Sequence, residues 1–130
     1  MTPTAVLIDD SRTTRTCLRV YLTEIGFDVV AEGDRGEHAL ALYEKHRPTL
    51  ITIDIVMPGL DGVSAARELL KRHPEASVVM CTSINTRDKI LACHEAGVSH
   101  YLLKPFDSTK VQNVARGILA KLEDRAAQGS

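Results

Sequence analysis

The chain has 130 residues, 44% of them hydrophobic and 25% charged, and a formal net charge of −1. That is the size and balance of a single soluble globular domain, which excludes a disordered or fibrous chain and leaves no room for a second folded unit. Near-neutral charge also removes the broad positive field that would hold nucleic acid directly.

In chain order, short apolar or β-branched runs alternate with segments of helical period, the pattern of an α/β domain with a mostly parallel sheet. The first strand is expected over 5–9 and runs into two aspartates, Asp9 and Asp10. Thr14, Cys17, Leu18, Tyr21, Leu22 and Ile25 then recur at spacings of three and four, one apolar stripe on a first helix, and Gly26 sits where a helix C-terminal glycine belongs. A second strand over 27–32 leads to a less regular helix marked by Ala39, Leu40, Leu42 and Tyr43. The third strand, 49–54, carries Asp54 at its end, and Val63, Ala66, Leu69 and Leu70 mark the helix after it. Met57, Val63 and Leu69 read as core. The fourth strand, 77–81, opens onto Thr82 and Ser83, and its helix is marked by Ile90, Leu91 and Cys93. The fifth strand, 100–103, meets Lys104 and Pro105. Asp107 then caps a last helix with Val111, Val114, Ala115, Ile118, Leu119 and Leu122 on one face. From Glu123 the sequence turns polar and small, so 1–122 is expected as the domain and 123–130 as a frayed tail or the start of a linker.

No apolar run approaches the roughly 20 residues of a membrane span, and no export signal opens the chain, so a cytoplasmic location without a membrane partner is expected. Cys17, Cys81 and Cys93 are odd in number and form no C-x-x-C, which argues against a disulfide framework or a zinc site. They are expected to be reduced and mostly buried. His38, His46, His73, His94 and His100 are scattered without metal-ligand spacing.

In an open parallel sheet the ligand crevice lies outside the C-terminal ends of the strands. If the first and third strands are neighbours, Asp9, Asp10 and Asp54 converge there. Each pair of such charges repels by about 1 kcal/mol even in water, and by more when desolvated. A cluster of this kind calls for a hard cation, and Mg²⁺ held by one or two carboxylates with retained waters is the common solution. The bland alternative is that Asp10 and Ser11 only cap the first helix and that Asp54 opens a loop. Thr82 and Lys104 weigh against it. A hydroxyl and an ammonium at the same sheet edge are the parts that hold a phosphoryl group, whose transfer is mainly positioning and charge neutralisation.

Four pieces occur in order: Asp9-Asp10 after an apolar strand; Asp54-Ile55-Val56-Met57-Pro58-Gly59-Leu60-Asp61-Gly62; Thr82-Ser83 after Val78-Val79-Met80-Cys81; and Gly97 through Tyr101-Leu102-Leu103-Lys104-Pro105-Phe106. Over about Thr4 to Leu122 the chain resembles a bacterial two-component response-regulator receiver domain of the chemotaxis-regulator type. The resemblance implies a doubly wound, flavodoxin-like three-layer α/β sandwich with five parallel strands in order 2-1-3-4-5. It implies Asp54 as phosphate-accepting nucleophile, Asp10 as a direct Mg²⁺ ligand, Asp9 as a ligand through water, and the Val56 carbonyl as a further ligand. Thr82 would hydrogen-bond the phosphoryl oxygen, Lys104 would pair with its charge, Tyr101 would be the aromatic that follows the threonine, and Pro105 would follow a cis peptide. The donor would be a sensor histidine kinase or phosphotransfer protein. The readout would be an output protein or effector domain docking on residues 87–121. Such a domain catalyses its own phosphorylation and slow autodephosphorylation and is not a turnover enzyme.

Departures from the family pattern are mild. Ser83 replaces a common alanine, and Val56 and Ile84 are apolar where many relatives are polar, which is expected to hinder attacking water and slow dephosphorylation. A haloacid-dehalogenase-like phosphatase would want a second aspartate at the position of Val56. A pseudo-receiver would lack an acid, the threonine or the lysine, and all are present. Neither G-x-G-x-x-G nor G-x-x-x-x-G-K-[ST] occurs, against nucleotide binding.

Overall fold

The computed structural model describes residues 2–83 and 86–129. Its elements alternate strictly: β1 (Thr4–Ile8), α1 (Arg12–Glu24), β2 (Asp28–Gly33), α2 (His38–His46), β3 (Leu50–Ile53), α3 (Gly62–Arg72), β4 (Val78–Thr82), α4 (Arg87–Glu95), β5 (His100–Leu103) and α5 (Ser108–Gly129). All four strand pairings are parallel, in the order β2-β1-β3-β4-β5. The expected doubly wound sandwich is what forms, with strand ends within about a residue of those read from the sequence.

Strands covered on both faces read as unbroken apolar runs, and their alternate side chains feed two cores. Val6, Ile8, Ile51, Ile53, Val78 and Met80 pack with Ala39, Tyr43, Ala66, Leu69 and Cys93 of α2, α3 and α4. Ala5, Leu7, Leu50, Val79, Cys81 and Leu102 pack with Leu18 and Leu22 of α1 and Val111, Ala115 and Ile118 of α5. The helices therefore sit three on one face and two on the other.

The ends of the helices follow local chemistry. Ser11 Oγ accepts from Thr14 N–H at 3.2 Å, Asp61 Oδ1 accepts from Ser64 N–H at 3.0 Å, and Asp107 Oδ1 accepts from Lys110 N–H at 2.9 Å. Gly26 leaves α1 at φ +94°, where a side chain would be strained. Residues 123–128 are exposed, and α5 continues through them to Gly129. Ala126, Ala127, Arg125 and Gln128 are good helix formers and no proline interrupts them. In α4 only Cys93 of the marker residues is buried; Ile90 and Leu91 are exposed, and Thr86 makes no side-chain cap bond.

The cysteines are free, with Cys81 and Cys93 buried and Cys17 half-buried. Burial pushes the Cys81 thiol up to about 12, so it stays protonated. At the centre of β3, Thr52 Oγ1 lies among Leu22, Leu50, Val79, Leu102 and Val111 with no hydrogen-bond partner among the described residues. A buried hydroxyl left unpaired costs about 1–3 kcal/mol. Thr52→Val, near-isosteric, is therefore expected to raise stability by about 1 kcal/mol in urea titration, and a loss of stability there would contradict the unpaired hydroxyl.

Candidate functional site

Register is what brings the site together. Ile8 pairs with both Gly33 and Ile53, and Thr82 pairs with Leu103. Asp9, Asp54 and Lys104 are each the next residue beyond such a pair, so all three emerge at one sheet edge. Main-chain bonds carry the ladder one step further: Asp9 N–H to Gly33 O at 3.0 Å, Asp54 N–H to Ile8 O at 3.0 Å, and Lys104 N–H to Thr82 O at 2.8 Å. The Lys104–Pro105 peptide is cis, as the resemblance implied.

At that edge one carboxylate oxygen each from Asp9, Asp10 and Asp54 lies within 4.8 Å of the others. Asp9 is 1% exposed, Asp54 6%, and Asp10 is open to solvent. The Lys104 ammonium donates to Asp54 Oδ2 at 3.1 Å and stands 3.0 Å from Asp9 Oδ2. Lys104 is the cation nearest Asp9 Oδ2 among the described residues, and no other polar group there reaches that oxygen. The other Asp9 oxygen accepts from Ser11 N–H at 2.8 Å.

Burial pushes the Asp9 carboxyl above its usual range, and the Asp54 charge adds to the rise; the Ser11 amide and Lys104 oppose it. For Lys104, desolvation favours the neutral amine, but contact with the Asp9 and Asp54 carboxylates outweighs it and holds the ammonium above the ordinary lysine range. The cluster is thus a pair of buried acids sharing one cation, with an exposed third acid alongside. Three carboxylate oxygens within 4.8 Å of one another, two of them buried and offset by a single ammonium, are an oxygen-only donor set that fits a hard divalent ion, Mg²⁺ being the common one.

Thr82 ends β4 fully buried, and Tyr101 is registered against Met80 on β5. Between them lies an apolar hollow of about 180 Å³ lined by Ile55, Thr82, Ile90, Cys93, Tyr101 and Leu103. The Tyr101 hydroxyl donates to Val98 O at 3.3 Å. Val56 N–H reaches Asp54 Oδ1 at 3.4 Å, and the Val56 side chain is exposed beside the acids. Ile84, its expected partner in shielding, lies outside the described residues.

The histidines stay out of this cluster. His73, just past α3, has Nδ1 3.0 Å from Arg47 Nη1 and Nε2 3.0 Å from Glu44 Oε2 of α2, which ties α2 to the end of α3. Two neighbours of the acids escaped sequence reasoning. Arg15 reaches the Asp9 carbonyl from α1, and Glu37 accepts from Leu60 N–H at 2.5 Å, pinning the loop that follows Asp54. The only hint for either is a charged residue near a site loop, too common to single out.

Comparison with known proteins agrees with this geometry. The family model of the response regulator receiver domain matches residues 5–116. The chemotaxis protein CheY of Bacillus subtilis is 32% identical over 106 residues, covering 82% of this chain and 88% of that protein. The CheY of Halobacterium salinarum is 34% identical and covers 92% and 98%. Among solved structures, a chain of the CheX-CheY-BeF3-Mg²⁺ complex from Borrelia burgdorferi superposes with a TM-score of 0.85 at 25% identity, covering 90% of this chain and 89% of that one. The REC domain of AraT, a response regulator from Geobacillus stearothermophilus, gives a TM-score of 0.87 at 27% identity, covering 97% and 99%. No helix among the described residues is long and apolar enough to cross a membrane. From the sheet order to the acids at its edge, then, the chain belongs to the response regulator receiver domains of two-component signalling, which are switches and not turnover enzymes.

Proposed function

We propose that Asp54 is the phosphoryl acceptor of a cytoplasmic switch, charged by a histidine kinase or phosphotransfer protein and read by an output partner. The observation that carries this is the Lys104 ammonium between Asp9 and Asp54, 3.0 and 3.1 Å from their oxygens, at the edge where Asp10 also lies. An Asp54 carboxylate oxygen attacks the phosphorus of a phosphohistidine. The new P–O bond forms as the P–N bond breaks, and the imidazole leaves with the bonding pair. Lys104 neutralises the phosphoryl oxygens as charge shifts onto them, and Thr82 offers a hydroxyl donor. Asp10 directly, Asp9 through water, and the carboxylate of Asp54 with the Val56 carbonyl would hold Mg²⁺. The ion, when bound, offsets the negative charge of acids and phosphoryl group together. Support comes from the Borrelia burgdorferi complex, which contains Mg²⁺.

The readout follows from charge. A phosphoryl group on Asp54 adds negative charge and acceptor oxygens that draw Thr82 and Lys104 inward. The hollow beside Tyr101 gives that ring room to follow, and residues 87–121, with Ile90, Leu91 and Leu103 exposed, form the face a partner would feel. The bias is limited to a coupling of about 1–3 kcal/mol. The switching unit in this reading is 1–122. Exposed, apolar Val56 offers no help to an attacking water, consistent with slow autodephosphorylation.

Intact mass after incubation with acetyl phosphate tests the reading. Wild type is expected to gain one phosphoryl group with Mg²⁺ and none without it, and Asp54→Asn to gain none. Uptake in Asp54→Asn, or none in the wild type, would sink the assignment.

A further inference from the structure

We propose that Arg15, braced by Glu32, is a positioning residue that fixes the Asp9–Asp10 peptide and so aims the acids of the β1 end at their cation. The inference rests on reading that cluster as a Mg²⁺ site. Arg15 Nη1 donates to the main-chain carbonyl of Asp9 at 2.5 Å, and its Nε donates to Glu32 Oε1 at 2.9 Å. Glu32, near the end of β2, also accepts from Arg19 Nε at 3.0 Å and from Arg19 Nη2. The Arg15 side chain is only 17% exposed, against 46% for Arg19. One guanidinium is thus withdrawn from water and committed to a carbonyl and a carboxylate at once.

The place of that carbonyl gives the contact its consequence. Ile8 is the last β1 residue in register with β2 and β3, so the Asp9 carbonyl lies past the ladder and takes its donor from a side chain. Asp9 is then held at three points: its N–H by Gly33 O, its carbonyl by Arg15, and Oδ1 by Ser11 N–H. Its carbonyl belongs to the peptide that joins it to Asp10. Turning that peptide would redirect the Asp10 side chain, which is exposed and has no core packing to hold it. A guanidinium is planar with donors in a fixed fork, so the Glu32 bond also fixes the angle at which Nη1 meets the carbonyl. A lysine in its place would keep the charge and lose that angle.

A clip that only joined α1 to β2 would affect stability alone, and titration separates the two roles. Mg²⁺ is titrated calorimetrically into wild type, Arg15→Lys, Arg15→Met, Glu32→Gln and the Arg15→Met, Glu32→Gln double variant. Melting temperature without metal and phosphoryl uptake from acetyl phosphate at saturating Mg²⁺ are measured alongside. Groups that orient metal ligands typically contribute about 10–100-fold to affinity. The dissociation constant is expected to rise about 10-fold or more in both Arg15 variants and by less in Glu32→Gln. The double variant should be no weaker than Arg15→Met, because Glu32 acts through the arginine. Uptake at saturating metal should return to within a few-fold of wild type. Lower melting temperatures with unchanged Mg²⁺ constants would overturn the inference, as would additive losses in the double variant. Should Arg15→Met not fold, Arg15→Lys and Glu32→Gln decide the matter by the same constants. Failure of the wild type itself to bind Mg²⁺ would sink the reading of the site and this inference with it, whereas wild-type binding with unchanged variants overturns this inference alone.

Discussion

Gly62→Ala is expected to destabilise the domain by about 3 kcal/mol and to damage the acceptor site in the same stroke. A Cβ at Gly62 would stand 1.8 Å from the Asp54 carbonyl oxygen, 2.6 Å from its carbon and 2.7 Å from Ile55 Cα. All three are main-chain atoms, so no side chain can swing aside. Relief has to come from moving either the first turn of α3, capped by Asp61, or the Asp54–Ile55 segment that Gly62 N–H bonds at 2.9 Å through Ile55 O. Circular dichroism should show a melting temperature lower by about 10 °C. Phosphoryl uptake should fall at temperatures where the variant remains folded, because Asp54 itself is displaced. Gly117→Ala is the control: no atom lies within 4 Å of its added Cβ, and a helix-interior alanine is favoured by about 0.5–1 kcal/mol. A Gly62→Ala protein that melts like wild type would refute the close approach.

Lys104→Met carries the second large effect. It leaves the buried Asp9 and Asp54 carboxylates facing each other without their shared cation. Removing one partner of a buried ion pair costs about 3–5 kcal/mol; with 21% of the Lys104 side chain in water, a loss nearer about 2–4 kcal/mol is expected without divalent ions. Phosphoryl uptake at saturating Mg²⁺ should drop on the order of 100-fold, the usual result of deleting one stabilising donor. The pH dependence has a definite sign. Lys104 is held above the ordinary 10.5, so its contribution is fully present below that value and is lost as pH rises through its higher folded-state value. The stability gap between wild type and variant should therefore close in strong alkali. In the variant Asp9 keeps its raised pKa without the opposing ammonium, so lowering the pH from neutral should recover stability. Denaturant titration across pH, with and without Mg²⁺, checks each point. Equal stability of the two proteins at pH 7 without metal would show that the lysine contributes nothing to holding the acids.

Much of this was legible in the chain. Strands covered on both faces leave continuous apolar runs, so their ends could be placed to about a residue, and α1 and α5 leave clear apolar stripes. The order 2-1-3-4-5 was different: periodicity says that strands exist and nothing about which are neighbours, and the order came from the resemblance. With it, the meeting of Asp9, Asp54 and Lys104 follows from register alone. What escaped notice depends on pairs of polar side chains from distant segments, such as Arg15 with Glu32 and Glu37 with the Leu60 amide. Charged residues are abundant and flexible, so nothing in their spacing marks the ones that will be withdrawn from water. The exposure of Ile90 and Leu91 was equally hidden, since an apolar residue on a short helix reads as core whether or not anything covers it. From Glu123 a frayed tail or the start of a linker was expected because the residues turn polar and small; α5 runs through them to Gly129 because those residues also favour helix.

Fifty residues separate Lys104 from Asp54, and each parallel pairing between them is closed by a helix rather than a hairpin. During synthesis, therefore, a chain whose first four strands have already emerged still lacks the ammonium that holds its acids together. If Asp54 is the acceptor, the site is complete only once the last strand has joined the sheet.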